Sequence, residues 1–383
     1  MLRPYRVLVI DADYPRRDQI YVDSFVHTRV KSYPQNWEVK VVGWNNALAE
    51  ELDYQWEGVD VFLSYLRESV KKRILAFQAD VILVHFIQRE FMNFYLSLQK
   101  PMIIFCHGYE STSWKRRLFN YDTLGSYRYL IPYFFENTLQ LRALKKFIAT
   151  SNSDISKQFV FVSNWLMKSA SEDVGPISCP SVVIPNGIDH KRFFYSQKTA
   201  DSRKKILLLR SFKARTYATD IAIEAILKLS SRPFFSELSF SIYGEGYLFP
   251  LLTESLKKFS NVELHNRFIL NKDIPAIHSG HGLFLCPSRL DTQGVLMCEA
   301  MCSGLVPITS AVAAIPEFVT DGISGFTTQS AAEIAERIEY LYYNPPVFQQ
   351  MSHNAHQAIM EKCSVDITFP KEVKLVESLI CTS

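Results

Sequence analysis

The sequence predicts an α/β protein built from two doubly wound domains, and two patterns lead to this prediction. Short runs of almost uninterrupted apolar residues recur along the chain, and each is followed by a longer stretch that can form a helix. Such runs are typical of parallel strands covered on both faces, and their alternation with helices is typical of a doubly wound sheet. The pattern also stops once and begins again, which predicts a second domain of the same kind.

A turn divides the two series of strands. Pro185-Asn186-Gly187 is a turn signal, and we interpret the polar stretch at 196–205 that follows it as a linker. Because ligands of open α/β sheets bind beyond the carboxyl ends of the strands, we expect the site in a cleft between the two domains. The predicted strands are Tyr5–Ile10, Glu38–Gly43, Asp80–His85, Met102–Cys106 and Phe159–Val162 before the turn, and Lys205–Leu209, Ser239–Tyr243, Val262–His265, Leu283–Pro287 and Val306–Thr309 after it.

The composition excludes several classes of protein. The chain has 383 residues, 48% of them hydrophobic, and its 27 Phe, 19 Tyr and 5 Trp are too many for a chain that stays unfolded. The seven Cys form no CxxC pair, which argues against a zinc site or a disulfide framework and favours a reducing compartment. Since neither a signal-peptide pattern nor an apolar stretch of membrane-spanning length occurs, we expect a cytoplasmic protein.

The most informative segment is PSRLDTQGVLMCEAMCSGLVPITS, residues 287–310. Asp291 lies in a polar loop after a predicted strand, and Gly294 begins a helix that carries Glu299. A glycine here lets the backbone approach a ligand, and the free amides of the first helical turn would form an anion site. The alternative is that Asp291 only caps the helix and that Glu299 is solvated. Glu299 has apolar neighbours on both sides, however, so its carboxylate should have a partner.

This segment resembles the donor site of the GT4-type retaining glycosyltransferases, which have the two-domain GT-B architecture. Their signature is Glu-x7-Glu followed by Ala-Met-x-x-Gly-x-Pro. Here the pattern is Asp291-x7-Glu299, Ala300-Met301, Gly304 and Pro307, so Asp replaces the first Glu. The resemblance continues in the expected order through FVFVSNWL (159–166), VIPNGID (183–189), IYGEGY (242–247) and IPEFVTDGISGF (315–326).

The resemblance implies a division of labour between the domains. Residues 1–190 would bind the acceptor, and residues 191–365 would bind a nucleotide-sugar donor. In this architecture the last helix commonly crosses back to the N-terminal domain. Residues 366–383 carry an apolar stripe from Val373 to Leu379 that needs such a surface.

Two cations follow the first predicted strand of the second domain, in LLLRSFKARTYATD at 207–220. An arginine pairs its fork with phosphate oxygens, and a fixed positive charge stabilises a diphosphate as it leaves. The resembled family has an Arg, a short loop and a Lys here, which maps onto Arg210 and Arg215, with Lys213 as the reserve. The alternative is a solvated basic loop.

The resemblance also assigns residues in other loops. A His in the loop after the strand at 102–106 contacts the donor sugar in this family, which implies that role for His107; the alternative is an ordinary core or loop histidine. Arg16 and Arg17 stand where the family commonly has paired glycines, and they are candidates for phosphate or acceptor contacts, or are simply exposed. The catalytic candidates are His107, Asp291 and Glu299, and the donor-binding candidates are Arg210, Arg215, Gly244, Arg267, Phe268, Gly294, Val295, Leu296 and Glu299.

Residues 114–146 combine seven Lys/Arg with aromatic and leucine residues and only two carboxylates. Such a mixture can bind an anionic membrane surface, with Lys115, Arg116 and Arg117 among the contacts. The alternative is an amphipathic core helix with a basic outer face. Nucleic acid is a poorer partner, because the net charge of the chain is only +3 and no nucleic-acid-binding motif occurs.

The sequence therefore predicts a retaining glycosyltransferase without a cofactor or metal, since the residues show no metal-ligand spacing. It would transfer a hexose-type sugar from a nucleotide-sugar co-substrate to a glycan or lipid-linked acceptor in cell-surface polysaccharide or lipopolysaccharide biosynthesis. We expect it in the cytoplasm, visiting the inner face of the membrane. The alternatives are a nucleotide-sugar epimerase or phosphorylase of the same fold, and a catalytically silent subunit that binds a sugar nucleotide or a glycan.

Overall fold

The computed structural model describes residues 3–20, 22–121, 126–150 and 156–381. The chain separates into two compact units, each built around one sheet. Unit 1 consists of Met1–Lys115, Arg128–Gly187 and Asp366–Ser383, and unit 2 consists of Arg116–Tyr127 and Ile188–Val365.

Unit 1 contains an eight-stranded sheet. Its strands are β1 (Arg6–Ile10), β2 (Glu38–Trp44), β3 (Leu52–Trp56), β4 (Val59–Ser64), β5 (Val81–His85), β6 (Met102–Cys106), β7 (Lys157–Phe161) and β8 (Ser181–Val183). Their order in the sheet is β3-β4-β2-β1-β5-β6-β7-β8, and all neighbours are parallel except β3 and β4. The helices between them are α1 (Ser24–Lys31), α2 (Arg67–Phe77), α3 (Arg89–Ser97), α4 (Tyr127–Ala149) and α5 (Asn164–Val174).

Both faces of this sheet are buried. On β1, Val7 and Val9 pack into the core on one face, while Leu8 and Ile10 pack into the core on the other. All four side chains are at most 5% exposed. This double burial explains why the strand is an uninterrupted apolar run, and the five strands predicted in this half of the chain are confirmed.

The β3–β4 hairpin is an element that the sequence analysis missed. Exposed and half-buried residues alternate along β3, which is the edge strand, so it lacks the continuous apolar pattern of the central strands. Glu57 and Gly58 connect the two strands with φ angles of 45° and 84°. Both values lie in the left-handed region that two-residue hairpin turns require.

Unit 2 contains a six-stranded, wholly parallel sheet in the described residues. Its strands are β9 (Lys205–Leu209), β10 (Ser239–Gly244), β11 (Val262–Asn266), β12 (Leu283–Cys286), β13 (Val306–Ser310) and β14 (Phe326–Thr328), arranged β11-β10-β9-β12-β13-β14. The helices are α6 (Thr219–Leu229), α7 (Leu248–Thr253), α8 (Ile274–Ser279), α9 (Val295–Cys302), α10 (Ile315–Phe318), α11 (Ala331–Tyr343) and α12 (Pro345–Cys363). The prediction of two doubly wound domains is confirmed.

The C-terminal helix α13 (Val365–Cys381) packs on the sheet of unit 1. Its Val376 and Leu379 belong to the same buried core as Val7 and Val9 of β1. The apolar stripe identified in the sequence therefore packs into the core on this face of the sheet, which residues of α1 also help to form.

Candidate functional site

Four neighbouring strands of unit 2 bring conspicuous residues to one edge of the sheet. Arg210 directly follows β9, Gly244 ends β10, Ser288 follows β12 by two residues and Ser310 ends β13. Because β10, β9, β12 and β13 are adjacent and parallel, their carboxyl ends lie side by side. This edge is where open α/β sheets bind ligands.

Arg210 is buried at this edge without a counter-charge. Its side chain is 5% exposed, and neither Nε nor Nη2 has a hydrogen-bond partner among the described residues. The guanidinium carbon lies 5.0 Å from the centroid of the Tyr217 ring. Burial raises the pKa of the Cys286 thiol to about 11, and the nearby Arg210 charge offsets part of that rise. A buried arginine stays charged, so two unsatisfied N–H groups favour an anionic ligand.

Glycines bring the loop after β10 against the loop after β9. The Arg210 amide donates to the Tyr243 carbonyl at 3.1 Å, and a Cβ on Gly244 would lie 2.1 Å from the Arg210 carbonyl oxygen. A Cβ on Gly246 would lie 2.4 Å from the Lys213 nitrogen. The absence of a side chain at Gly244 therefore lets the Arg210 backbone lie close to β10. Arg267 and Phe268, which follow β11, are exposed, and the Lys213 ammonium is 5.1 Å from the Phe268 ring centroid.

Arg215 lies in a turn that Arg289 holds in place. The Arg289 guanidinium donates to both carboxylate oxygens of Asp220, at 2.8 and 2.6 Å, and to the Arg215 carbonyl at 2.9 Å. Burial alone would raise the pKa of Asp220, but the hydrogen bonds and charge of Arg289 outweigh it and hold that pKa below its usual value. The sequence analysis missed this pair, although Arg289 lies inside the conspicuous 287–310 segment.

Asp291 caps the loop that leads into α9. Its Oδ1 accepts hydrogen bonds from the Gln293 amide at 3.2 Å and from the Gly294 amide at 2.6 Å. Gly294 has a φ of 79°, in the left-handed region that favours glycine. The first amide of α9 that bonds within the helix is that of Cys298, to the Gly294 carbonyl, so the amides of the first turn have no acceptor in the helix itself.

Val295 and Leu296 carry the amides of this first turn, and both side chains are half-buried. One helical turn further on, Glu299 has no hydrogen-bond partner for its carboxylate among the described residues. Burial raises the pKa of Glu299 to about 8, and the charge of Arg192 offsets part of this rise. The carboxylate that seemed from the sequence to need a partner thus has none in the part of the chain that the structure describes.

In unit 1, two buried histidines lie at the carboxyl ends of adjacent strands. His85 ends β5 and His107 follows β6, and His85 Nδ1 is 2.9 Å from His107 Nε2. Burial lowers the pKa of both imidazoles well below the usual value, and the charge of Arg29 adds to this. Two neutral rings can share one hydrogen bond, so His85 orients His107. The Glu110 carboxylate accepts from the amides of His107 and Gly108 and fixes the same loop.

The loop that follows β1 carries Arg16 and Arg17, but it also contains carboxylates. Arg16 contacts the Asp13 carboxylate and lies 3.3 Å from that of Asp18, so its charge is compensated, while Arg17 is exposed. Burial raises the pKa of Asp23 to about 7, and the charges of Asp13 and Glu110 add to it.

The short 3₁₀ helix at Trp114–Asn120 carries the cations predicted for a membrane surface. Lys115 is exposed, whereas Arg116 and Arg117 are half-buried and belong to unit 2. Burial and the charge of Asp291 raise the pKa of Tyr217, and Arg117 is one of two arginines whose charge opposes this. Arg117 therefore lies near the Arg210 side of unit 2.

Two features are absent from the part of the chain that the structure describes. No group of three His, Cys, Asp or Glu side chains in residues 3–20, 22–121, 126–150 and 156–381 could hold a metal ion. No helix within those ranges is long and apolar enough to cross a membrane.

Residues 203–344 match the family model described as Glycosyl transferases group 1. The chain is similar to alpha-monoglucosyldiacylglycerol synthase of Acholeplasma laidlawii, with 25% identity over 189 residues, which cover 45% of this chain and 46% of that protein. It is also similar to alpha-maltose-1-phosphate synthase of Mycobacterium tuberculosis, with 30% identity over 96 residues, or 23% of this chain and 25% of that protein. The chain thus spans about half or less of the length of these relatives.

Solved structures are similar over almost the whole chain. Sucrose-phosphate synthase from Thermosynechococcus elongatus has a TM-score of 0.74 and 14% identity, covering 99% of this chain and 100% of that one. Anabaena Alr3699/HepE in complex with UDP and glucose has a TM-score of 0.70 and 14% identity, covering 98% of this chain and 100% of that one. The chain therefore has the GT-B fold of these structures.

Proposed function

We propose that the protein is a retaining glycosyltransferase that transfers a hexose-type sugar from a nucleotide sugar to a glycan or lipid-linked acceptor. The observation that supports this best is the buried Arg210 guanidinium without a counter-charge, at the carboxyl edge of the sheet within the matched segment. The neighbour HepE was solved with UDP and glucose, which favours a donor of the same chemical class here.

The diphosphate of the donor would bind at Arg210. Its unsatisfied Nε and Nη2 groups can donate to two phosphate oxygens, and Arg215 in the adjoining turn would provide a second positive charge. The free amides of the first α9 turn would add donors at the positive end of the helix. Charge that develops on the leaving nucleotide is then stabilised by fixed groups, which lowers the barrier to transfer without a bound metal.

Glu299 would bind hydroxyl groups of the ribose or the sugar. With a pKa of about 8, its carboxyl group is largely protonated at neutral pH, so it can both donate and accept one hydrogen bond. A sugar hydroxyl needs both. Asp291 would orient the transferred sugar with the carboxylate oxygen that does not cap α9, and His107 keeps the sugar-contacting role that the resemblance implies.

The acceptor would bind to unit 1. The carboxyl edge of its sheet offers Asp23 and the neutral histidines, which suit hydroxyl groups better than phosphate. The two relatives are named as the synthases of alpha-monoglucosyldiacylglycerol and of alpha-maltose-1-phosphate, which favours a lipid or a sugar as the acceptor. We further propose that the enzyme works in the cytoplasm at the inner face of the membrane, in cell-surface polysaccharide or lipopolysaccharide biosynthesis.

One observation favours a second candidate, a subunit that binds a nucleotide sugar without transferring it. Asp291 Oδ1 is already engaged with the Gln293 and Gly294 amides, so the shorter side chain works as a cap. In that case the donor would bind normally and no product would form.

A nucleotide-release assay separates these candidates. The protein is incubated with UDP-, GDP- and ADP-sugars, with and without membrane extract, and free nucleotide and glycosylated product are measured. We expect release from one donor that increases with extract, a product that keeps the anomeric configuration of the donor, and no loss of activity in EDTA. Binding without release would support the silent subunit, and absence of binding to every donor would refute the proposal.

A further inference from the structure

The inner face of helix α4 packs against other residues of unit 1. Leu144, Phe147 and Ile148 are buried in the core beneath the sheet. Asn137 accepts from the Trp114 amide at 2.7 Å, and Gln140 donates to the Ile87 carbonyl at 2.7 Å. These contacts fix which side of the helix faces outward.

The outward side of the first half of α4 is apolar. Ile131, Phe135 and Leu139 follow one another at intervals of four residues, so they form one stripe along the helix. Their side chains are 61%, 57% and 46% exposed. Tyr129 on the preceding turn is 57% exposed. Large apolar side chains in a continuous exposed row mark a surface that has a partner.

The outward side continues into cations in the second half of the helix. Arg142, Lys145 and Lys146 are exposed, and none of them has a carboxylate partner among the described residues. The charge of Glu136 on the same helix is compensated, because its carboxylate lies 2.8 Å from the Arg89 guanidinium. We call the six outward residues Ile131, Phe135, Leu139, Arg142, Lys145 and Lys146 the α4 outer face.

We propose that the α4 outer face binds an anionic lipid bilayer. An interfacial helix buries an apolar face at the boundary between headgroups and acyl chains, and its cations contact anionic headgroups. The α4 outer face supplies both, and its uncompensated positive charge complements such a surface. The sequence analysis named Lys115, Arg116 and Arg117 among the membrane contacts, and we propose the α4 outer face in their place. The inference rests on exposure and charge, and it would stand even if the proposed transferase activity failed.

The test measures co-sedimentation of the full chain with vesicles of phosphatidylcholine, with and without phosphatidylglycerol. We expect binding only to the anionic vesicles, weakening as salt is added. Replacing Arg142, Lys145 and Lys146 by Glu should lower the partition coefficient by roughly 100-fold, since each lost cation near such a surface costs about fivefold. The double variant Phe135→Ser, Leu139→Ser should bind at least tenfold more weakly.

Leu251→Ser is the matched control, because Leu251 is 69% exposed and lies in unit 2. This control should bind vesicles like the wild type, and UDP binding should be the same in all variants. Unchanged vesicle binding by both α4 variants would overturn the proposal. So would a wild type that ignores anionic vesicles but forms dimers that the α4 variants do not form, because the α4 outer face would then bind a second copy of the chain.

Discussion

Two buried arginines, one in each unit, have opposite surroundings. Arg29 in unit 1 is 0% exposed and contacts the carboxylate of Glu372, which is also 0% exposed. The same guanidinium donates to the Asn186 side chain at 3.1 Å. Arg210 in unit 2 is 5% exposed, and no carboxylate among the described residues contacts it.

The difference separates a structural charge from a charge kept for a ligand. Removing a charge from water is costly unless an opposite charge and hydrogen bonds replace the water. For Arg29 the chain itself supplies them, and the pair connects α1 to the C-terminal helix α13. For Arg210 the described residues supply no opposite charge and leave Nε and Nη2 without an acceptor, so an anionic ligand would relieve the cost. Variants of each residue test this contrast.

The largest effect is expected at Glu372. Glu372→Gln leaves the Arg29 charge buried without a counter-charge, which should lower the free energy of unfolding by about 3 to 5 kcal/mol. Urea unfolding measures this. Glu136→Gln is the control, because its exposed pair with Arg89 should cost at most about 1 kcal/mol. If Glu372→Gln lowered the free energy of unfolding by no more than Glu136→Gln does, the buried Arg29 charge would not depend on Glu372.

The next largest effect is expected at Glu299, because a half-buried carboxyl group can lose its charge by taking up a proton, whereas an arginine stays charged. Its pKa, raised by burial to about 8, means that stability present below the usual pKa of 4.5 is lost as the pH rises towards 8. Glu299→Gln removes this titration. The variant should therefore gain up to about 3.5 kcal/mol on the wild type between pH 5 and 8, since about 2.6 units of the titration fall in that interval and each unit of pKa shift corresponds to about 1.4 kcal/mol.

Unfolding curves at several pH values measure this gain. Glu224→Gln, an exposed glutamate on α6, should show no such divergence from the wild type. Parallel pH profiles for Glu299→Gln and the wild type would contradict a raised pKa at Glu299. The same variant should bind the donor more weakly, which would show that the site sacrifices stability for binding.

The smallest change in stability is expected at Asp291. Asp291→Asn keeps an oxygen that can accept from Gln293 and Gly294, so stability should change by less than about 0.5 kcal/mol, whereas Asp291→Ala should cost about 1 kcal/mol. If Asp291 also orients the sugar, Asp291→Asn should lose transfer at least tenfold and still bind nucleoside diphosphate, and Asp291→Glu should change donor preference. If Asp291→Asn turned over at the wild-type rate, Asp291 would cap the helix without orienting the sugar.

The sequence predicted the parts of the fold that periodic patterns determine. Central strands such as β1 are continuous apolar runs because both of their faces are buried, so the residue that follows each one could be located. The β3–β4 hairpin was missed because an edge strand has no such run. Glu372 and Arg29 are 343 positions apart, and no local pattern connects them.

In the candidate site too, local sequence patterns predicted the positions of residues but not their contacts. Arg210 and Asp291 could be found from their places after strands, but the sequence could not tell that Arg210 lacks a counter-charge and that Asp291 caps a helix. His85 contacts His107 only because β5 and β6 are neighbours in the sheet. Burial and contacts across a sheet depend on tertiary structure, so these parts could not be predicted.

The binding of UDP to the wild type and to Arg210→Met, measured by titration calorimetry, tests the central claim most directly. Arg232→Met, at an exposed arginine paired with Glu339 in unit 2, is the control. We expect Arg210→Met to bind at least tenfold more weakly, a loss of about 1.4 kcal/mol, while unfolding without nucleotide at the wild-type free energy or slightly above it. UDP at 100 times its dissociation constant should stabilise the wild type by about 2.7 kcal/mol and this variant by less. Equal UDP affinity in the two proteins, or a loss of stability in Arg210→Met as large as that in Glu372→Gln, would show that Arg210 serves the fold and not the donor.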